Sequence, residues 1–257
     1  MRELELLAEL ERRGLIVGVE HDAAQIEGLV VTQDALVEGV HFRFDLLDWR
    51  ELGYRAAAVN ISDLAASGAE PLALFVSLAA PRLDDAVALY EGIAEAGVPV
   101  RGGDTTASPH VVLSVTALGR SERVPGRAGA QPGDHVVVTG PLGATAVGFR
   151  QRRLPRPPRR IDEGKRLARV ATAMLDISDG LGVDASHIAA RSGVRIVLDP
   201  DAVPLAPGAT REDIAFGEDY ELLATTPEPL DFTVIGRVEA GSGVVPPLGG
   251  WEHFVEP

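Results

Sequence analysis

Trp49-Arg50-Glu51-Leu52-Gly53-Tyr54-Arg55-Ala56-Ala57-Ala58-Val59-Asn60-Ile61-Ser62-Asp63-Leu64-Ala65-Ala66-Ser67 is the stretch from which the rest of the chain can be read. It is rich in Ala, which enters a helix at the least entropic cost, and Gly68 follows as a stop signal. The pattern predicts one long helix with Leu52, Ala56, Val59 and Leu64 on an apolar face. Asn60 and Asp63 are three residues apart and fall on that same face. Neither residue type favours a helix interior. A polar pair there is a local inconsistency of the kind that marks function; the alternative is a solvent-facing pair.

Outward from this helix, Glu3–Arg13 reads as an amphipathic helix, with Leu4, Leu7, Ala8 and Leu10 on one side. Leu15–Val19 and Leu29–Thr32 read as strands, Leu72–Ala79 as a strand, Asp84–Ala96 as a helix, and Val98–Arg101 and Val111–Leu118 as strands. Two strands in succession at each end of this half give an α+β order, without the strict alternation of a doubly wound sheet. A Gly-, Arg- and Pro-rich connector follows, and the domain boundary is expected near residues 120–132, dividing the chain into 1–125 and 126–257. In the second half the expected strands are His135–Thr139, Ala173–Ile177, Val194–Leu198, Tyr220–Thr225 and Phe232–Val238. The expected helices are Glu163–Thr172 and Leu181–Arg191, with a further helix opening after Gly143 and an exposed loop over Arg150–Arg160.

The 257 residues are 46% apolar, enough for a substantial core, and carry a net charge of −14. That balance argues against nucleic acid as the main partner, because phosphate backbones need a basic surface. No apolar run is long enough to span a bilayer, the acidic start is wrong for a secretory signal, and cysteine is absent, so a cytoplasmic protein is expected. Lys165 is the only lysine. No Gly-rich loop therefore carries the lysine of a P-loop. If ATP binds, its phosphates must be neutralised by metal ions, Arg and backbone N–H groups.

Asp-bearing islands stand along the chain. Asp34 ends the apolar run Gly28-Leu29-Val30-Val31-Thr32, where a carboxylate can face a cleft or simply make a turn. Gly102-Gly103-Asp104-Thr105-Thr106 follows a short strand; it could approach a ligand closely or form a hairpin turn. In Asp176-Ile177-Ser178-Asp179-Gly180, Asp179 could be an ordinary helix cap, but Asp176 is a charge within an apolar strand. Gly217-Glu218-Asp219-Tyr220-Glu221 is a fifth island. Arg127, on a Gly/Ala loop, could reach a triphosphate or be surface charge. His41 could donate to a phosphate or be structural, and Trp251 could stack on a flat ring or pin the tail. Hard cations such as Mg²⁺ take oxygen ligands and share them with phosphates, so the set suggests an ATP-using enzyme.

Taken in order, the motifs resemble the thiamine-monophosphate kinase family, in the superfamily of aminoimidazole ribonucleotide synthetase. They are Thr32-Gln33-Asp34, Val37-Glu38-Gly39-Val40-His41-Phe42, Ala58 to Ala66, Gly102 to Thr106, Arg127 to Asp134, Asp176 to Leu181, Gly217 to Leu222 and Gly250-Trp251-Glu252-His253-Phe254. The resemblance implies an α+β, two-domain fold. Its N-terminal domain would bind metal and ATP and form a homodimer; its C-terminal α/β-type domain would close over nucleotide and substrate. It implies phosphoryl transfer from ATP to thiamine monophosphate, with Mg²⁺. The implied metal ligands are Asp22, Thr32, Gln33, Asp34, Asp63, Asp104, Asp176 and Asp179, of which Asp34, Asp63, Asp104 and Asp179 would be catalytic. The implied ATP contacts are Gly103, Asp104, Arg127 and Ser178, and the thiamine-phosphate contacts are His41, Glu218 and Trp251. The chain departs from the family at Glu20-His21-Asp22, where Gly-Asp-Asp is usual, and around Arg150–Arg160 and Asp199–Arg211, which are short. Two competing readings are another ATP-dependent member of the superfamily, of cyclo-ligase or hydrogenase-maturation type, and a binding-only paralogue.

Overall fold

The computed structural model describes residues 3–16 and 21–251. Helix α1, Glu3–Arg12, ends where Gly14 takes a positive φ and Leu15 N donates to Leu10 O at 3.0 Å. A left-handed glycine stops the helix, and Leu15 and Ile16, where a strand is expected to begin, form a bend; residues 17–19 of that expected strand are not among the described residues. Residues 17–20, including Glu20, and 252–257, including His253 and Phe254, lie outside the described residues.

The first sheet contains β1 (Ala24–Ile26), β2 (Leu29–Val37), β3 (Glu70–Ala80), β4 (Val100–Ala107) and β5 (Val112–Arg120), in the order β1-β2-β5-β3-β4. Only β3 and β4 are parallel, joined by the crossover helix α3, Ala86–Glu95. Strand β4 runs straight through Gly102-Gly103-Asp104-Thr105-Thr106, where a ligand loop or hairpin turn is the sequence expectation. The physical reason is pairing with β3. A Cβ on Gly103 would lie 1.8 Å from Val76 O, so the bare glycine backbone lets the strands approach.

The long helix expected from Trp49 is α2, Trp49–Ala66, capped by Asp48, whose carboxylate accepts from Glu51 N at 2.8 Å. It crosses α3 through a notch of two glycines. A Cβ on Gly53 would sit 1.9 Å from Leu89 O, and one on Gly92 1.9 Å from Arg50 O. Helix α2 covers one face of the first sheet, and its C-terminal Ala65 and Ala66 pack into the second half, against Val137, Leu167, Met174 and Leu222. It is thus buried on nearly all sides.

Residues 121–134 carry no helix or strand. Beyond them lie β6 (His135–Val138), α4 (Ala144–Arg150), α5 (Ile161–Ala168), β7 (Ala173–Asp176), α6 (Leu181–Ser192), β8 (Arg195–Leu198), β9 (Leu222–Thr226), β10 (Thr233–Glu239) and β11 (Gly243–Val245). Their sheet has the order β11-β8-β10-β6-β9-β7. The short strands β1 and β11 and a 3₁₀ turn at Arg211–Ala215 have too little periodicity to be seen in the sequence. Residues 151–160 are coil but do more than the expected exposed loop. Leu154 docks on the first core, and Arg156 pairs with Glu51 and Glu95 over the Tyr54 ring, so the segment straps the two halves together. No helix among the described residues is long and apolar enough to cross a membrane.

The glycine notch is directly testable. Ala at position 53 would add about 1 kcal/mol of helix propensity, but its methyl must displace a backbone carbonyl. Gly53→Ala is expected to lose about 1–3 kcal/mol net. The readout is a lower denaturant midpoint at unchanged slope.

Candidate active site

A cleft of about 820 Å³ opens between the two sheets. Strand alternation places Thr32 and Asp34 on the face of β2 that looks toward α2. Two residues of α2 meet them. Asn60, 1% exposed, accepts from Asp34 N at 3.1 Å through Oδ1 and donates to Ala56 O through Nδ2. Thr32 Oγ1 donates to Asp63 Oδ2 at 2.5 Å. The helix also reaches the other domain: Ser62 Oγ donates to Asp176 Oδ2, at the end of β7. Asp22 faces the same space and is held by Arg127, whose Nε donates to Asp22 Oδ1 at 2.8 Å. Of the Asn60/Asp63 pair, Asp63 therefore lines the cleft and Asn60 is buried behind it, bracing Asp34; this is not a solvent-facing pair.

Four carboxyls this close in a dry wall resist ionisation. Burial, aided by the Asp22 charge, pushes Asp34 up to about 6. Burial, then Asp22, pushes Asp176 up to about 8. Asp63 lies well above the usual range through burial and through Asp34, Asp176 and Asp22. Asp22 is raised by burial even with Arg127 beside it. All-oxygen donors whose ionised forms have little counter-charge beyond Arg127 fit a hard divalent cation.

Past β7 the chain turns at Ser178 and Asp179 into α6. Asp179 N donates to Asp184 Oδ2 at 3.0 Å, and Asp179 O accepts from Trp251 N at 2.7 Å. Asp179, Asp184 and His187 present donor atoms within 4.8 Å of one another, so they too could hold a cation. Burial, together with Arg127 and Arg191, lowers His187 to about 4, which keeps its ring neutral near pH 7. Asp184 and His187 escape the sequence reading because a charge on a helix resembles a solvated face; their i, i+3 spacing after Asp179 is the available signal.

The residues expected on the substrate side, His41, Glu218 and Trp251, line the same cleft, together with Phe42, Phe149 and Phe216. His41 Nδ1 accepts from Val37 N at 3.1 Å, which places the proton of a neutral ring on Nε2. Glu218 faces the cleft from a backbone at φ +58°, and behind it stands Arg55, a buried cation that sequence reasoning missed. Gln33 borders the cleft, yet its amide donates to Ser114 Oγ at 3.0 Å, on the sheet face opposite Thr32 and Asp34. Gly103 and Asp104 are not brought to this cleft; they lie on the exposed outer strand β4. His21 lines the cleft with its Nδ1 buried and unpartnered among the described residues.

The family model described as AIR synthase related protein, N-terminal domain, matches residues 20–121, and that of the C-terminal domain matches residues 131–247. The thiamine-monophosphate kinase of Aquifex aeolicus is 37% identical over 272 residues, covering 88% of this chain and 88% of its own. That of Pyrococcus horikoshii is 35% identical over 270 residues, covering 88% and 86%. The chain belongs to the thiamine-monophosphate kinase family. A solved structure of AaThiL complexed with AMPPCP and TMP superposes at a TM-score of 0.89 with 35% identity, over 98% of this chain and 97% of that one. The two-domain fold implied by the resemblance is thus the fold found. As a member of this kinase family the chain has a notable poverty in amines: its single lysine pairs with Glu70 and Asp162, and it does not line the cleft.

The raised carboxyls make stability depend on pH. A carboxyl whose folded pKa exceeds its unfolded value contributes fully below the unfolded value. The contribution is lost as pH rises through the folded one. For Asp34 and Asp176 that window runs from the ordinary 3.8 to about 8. With chelator present, the melting temperature is expected to fall by several degrees across it. Added Mg²⁺ should reverse the fall, and do so more at pH 8 than at pH 5. Equal melting with and without Mg²⁺ at pH 8 would count against a cation among these carboxyls.

Proposed function

We propose that the protein transfers the γ-phosphoryl group of ATP to the phosphate of thiamine monophosphate, yielding thiamine diphosphate and ADP. The observation that carries this reading is the composition of one cleft. Its lining combines clustered carboxyls, suited to polyphosphate with metal, with aromatic side chains, Glu218 and His41. Related structures bear on it too, since the AaThiL complex holds an ATP analogue and TMP on the same fold.

The chemistry needs little from the side chains beyond placement. An acceptor phosphate oxygen is already ionised near neutral pH, so no general base is required. It attacks the γ-phosphorus in line; a new P–O–P bridge forms while the bond from the γ-phosphorus to the β,γ-bridging oxygen breaks, leaving the electron pair on ADP. Mg²⁺, held by Asp22, Thr32, Asp34, Asp63, Asp176 and Asp179, would supply charge neutralisation between the two anions. Arg127 and Ser178 would steady the nucleotide and His41 the acceptor phosphate. Alignment of the two phosphates then provides most of the acceleration.

A homodimer fits the same reading. Strand β4, which begins at the exposed Val100, is exposed along its length, and Phe75 of β3 adds apolar surface beside it. An open sheet edge invites pairing. A twin docked there would carry Gly103 and Asp104 to a site that this chain alone does not give them. The use of ATP and the cysteine-free composition suit the cytoplasm.

The deciding assay supplies ATP, Mg²⁺ and thiamine monophosphate, with unphosphorylated thiamine as a parallel acceptor. Thiamine diphosphate should form from the monophosphate only. No product while ATP still binds would move the reading to another acceptor or to a binding-only protein. Asp63→Asn should lose turnover by orders of magnitude, yet melt higher than the unaltered chain in chelator, because it removes one of the crowded charges. Near-normal turnover in that variant would take Asp63 out of the metal set.

A further inference from the structure

Arg55 stands mid-way along α2, and its side chain is 2% exposed. A guanidinium buried this deeply needs an anion. Its anion is Glu218, paired through Nη2 and Oε2 across the junction of the two domains. Its Nη1 donates to Pro155 O in the strap at 3.1 Å, the Tyr220 ring lies 5.7 Å away, and Nε has no partner among the described residues.

The pair is lopsided. Glu218 is 26% exposed and lines the cleft, so a sealed cation backs an open carboxylate. The neighbouring acids are fixed in other ways. Asp219 accepts from Gly143 N and Ala144 N at the start of α4, and Glu221 is gripped by Arg160 and Thr139. The backbone of Glu218 is also set locally, with its N donating to Ser178 O at 2.7 Å and its O accepting from Thr145 Oγ1 at 2.7 Å. Those bonds place its Cα; among the described residues, only Arg55 bonds its carboxylate. A buried ion pair is a poor stabiliser compared with well-packed apolar side chains. Its value here lies in where it holds a charge.

We propose that Arg55 is a positioning residue: reaching from the first domain, it holds the Glu218 carboxylate at the cleft surface, ready to bind the cationic, amino-bearing ring system of the acceptor. The identity of that acceptor rests on the function proposed above; the positioning itself does not. Because Arg55 touches neither nucleotide nor metal residues, its loss acts on one substrate only.

The test compares Arg55→Met, Arg55→Gln and Arg55→Lys in the full chain, each checked by thermal melting. In ligand-free crystal structures Glu218 should leave its position in the Met variant and keep it in the Lys variant. In the assay the KM for thiamine monophosphate should rise about tenfold or more in Met and Gln, with the KM for ATP changed less than about twofold, and Lys should recover most of the loss. If Met fails to fold, Gln and Lys carry the comparison. A Glu218 carboxylate that stays in place without Arg55, or equal rises in both KM values, overturns the proposal. Absence of turnover in the unaltered chain would sink the proposed reaction alone, and the crystal comparison would still decide on Arg55.

Discussion

Mutual repulsion among Asp22, Asp34, Asp63 and Asp176 is the constraint around which the rest of the molecule is arranged. Four carboxyls on one dry wall are unfavourable to folding, and they stay together only because the surrounding structure over-determines them. Asn60 braces the backbone of Asp34, Thr32 and Ser62 hydrogen-bond to Asp63 and Asp176, and Arg127 holds Asp22. The charge left over is the functional quantity. A site that repels its own charges has strong affinity for cations and, through them, for polyphosphate.

Helix α2 is what makes this arrangement possible. Most helices offer one face to a core and one to water. Over most of its length this one is buried against the first sheet, α3 and the second domain at once, so the polar residues of its middle and last turns meet protein or the cleft. Arg55, Asn60, Ser62 and Asp63 each find a different partner: Glu218, Asp34, Asp176 and Thr32. The glycine notch with α3 brings the helix close enough to be enclosed in this way.

The same helix shows why some of the site was legible in the sequence and some was not. Asn60 and Asp63 stood out because short polar side chains on an apolar helical face have no bland explanation. Asp176 stood out for the matching reason in a strand. Arg55 did not, since a long basic side chain in an Ala-rich helix reads as one that reaches solvent along its stem. Its partner is more than a hundred residues away in sequence, and only the docking of two domains shows that it is sealed. Gly102 to Thr106 show the opposite difficulty: the segment is a strand, not the expected loop or turn. Two glycines before an Asp carry the same local signal whether the backbone approaches a ligand or a neighbouring strand, and here Gly103 closes on the strand at Val76. At Leu15 and Ile16 the expected strand gives way to a bend after the turn that Gly14 imposes, while the rest of that run lies outside the described residues.

The two contacts that α2 sends across the junction have a consequence for descent. Arg55 with Glu218 and Ser62 with Asp176 each split one functional feature between the two halves of the gene. A recombination event that joined the first half of one relative to the second half of another would have to inherit both partners of each pair in compatible form, or leave a sealed charge without its counterpart. A chimera of that kind would keep the site only where the incoming half supplies a partner for each of these two side chains.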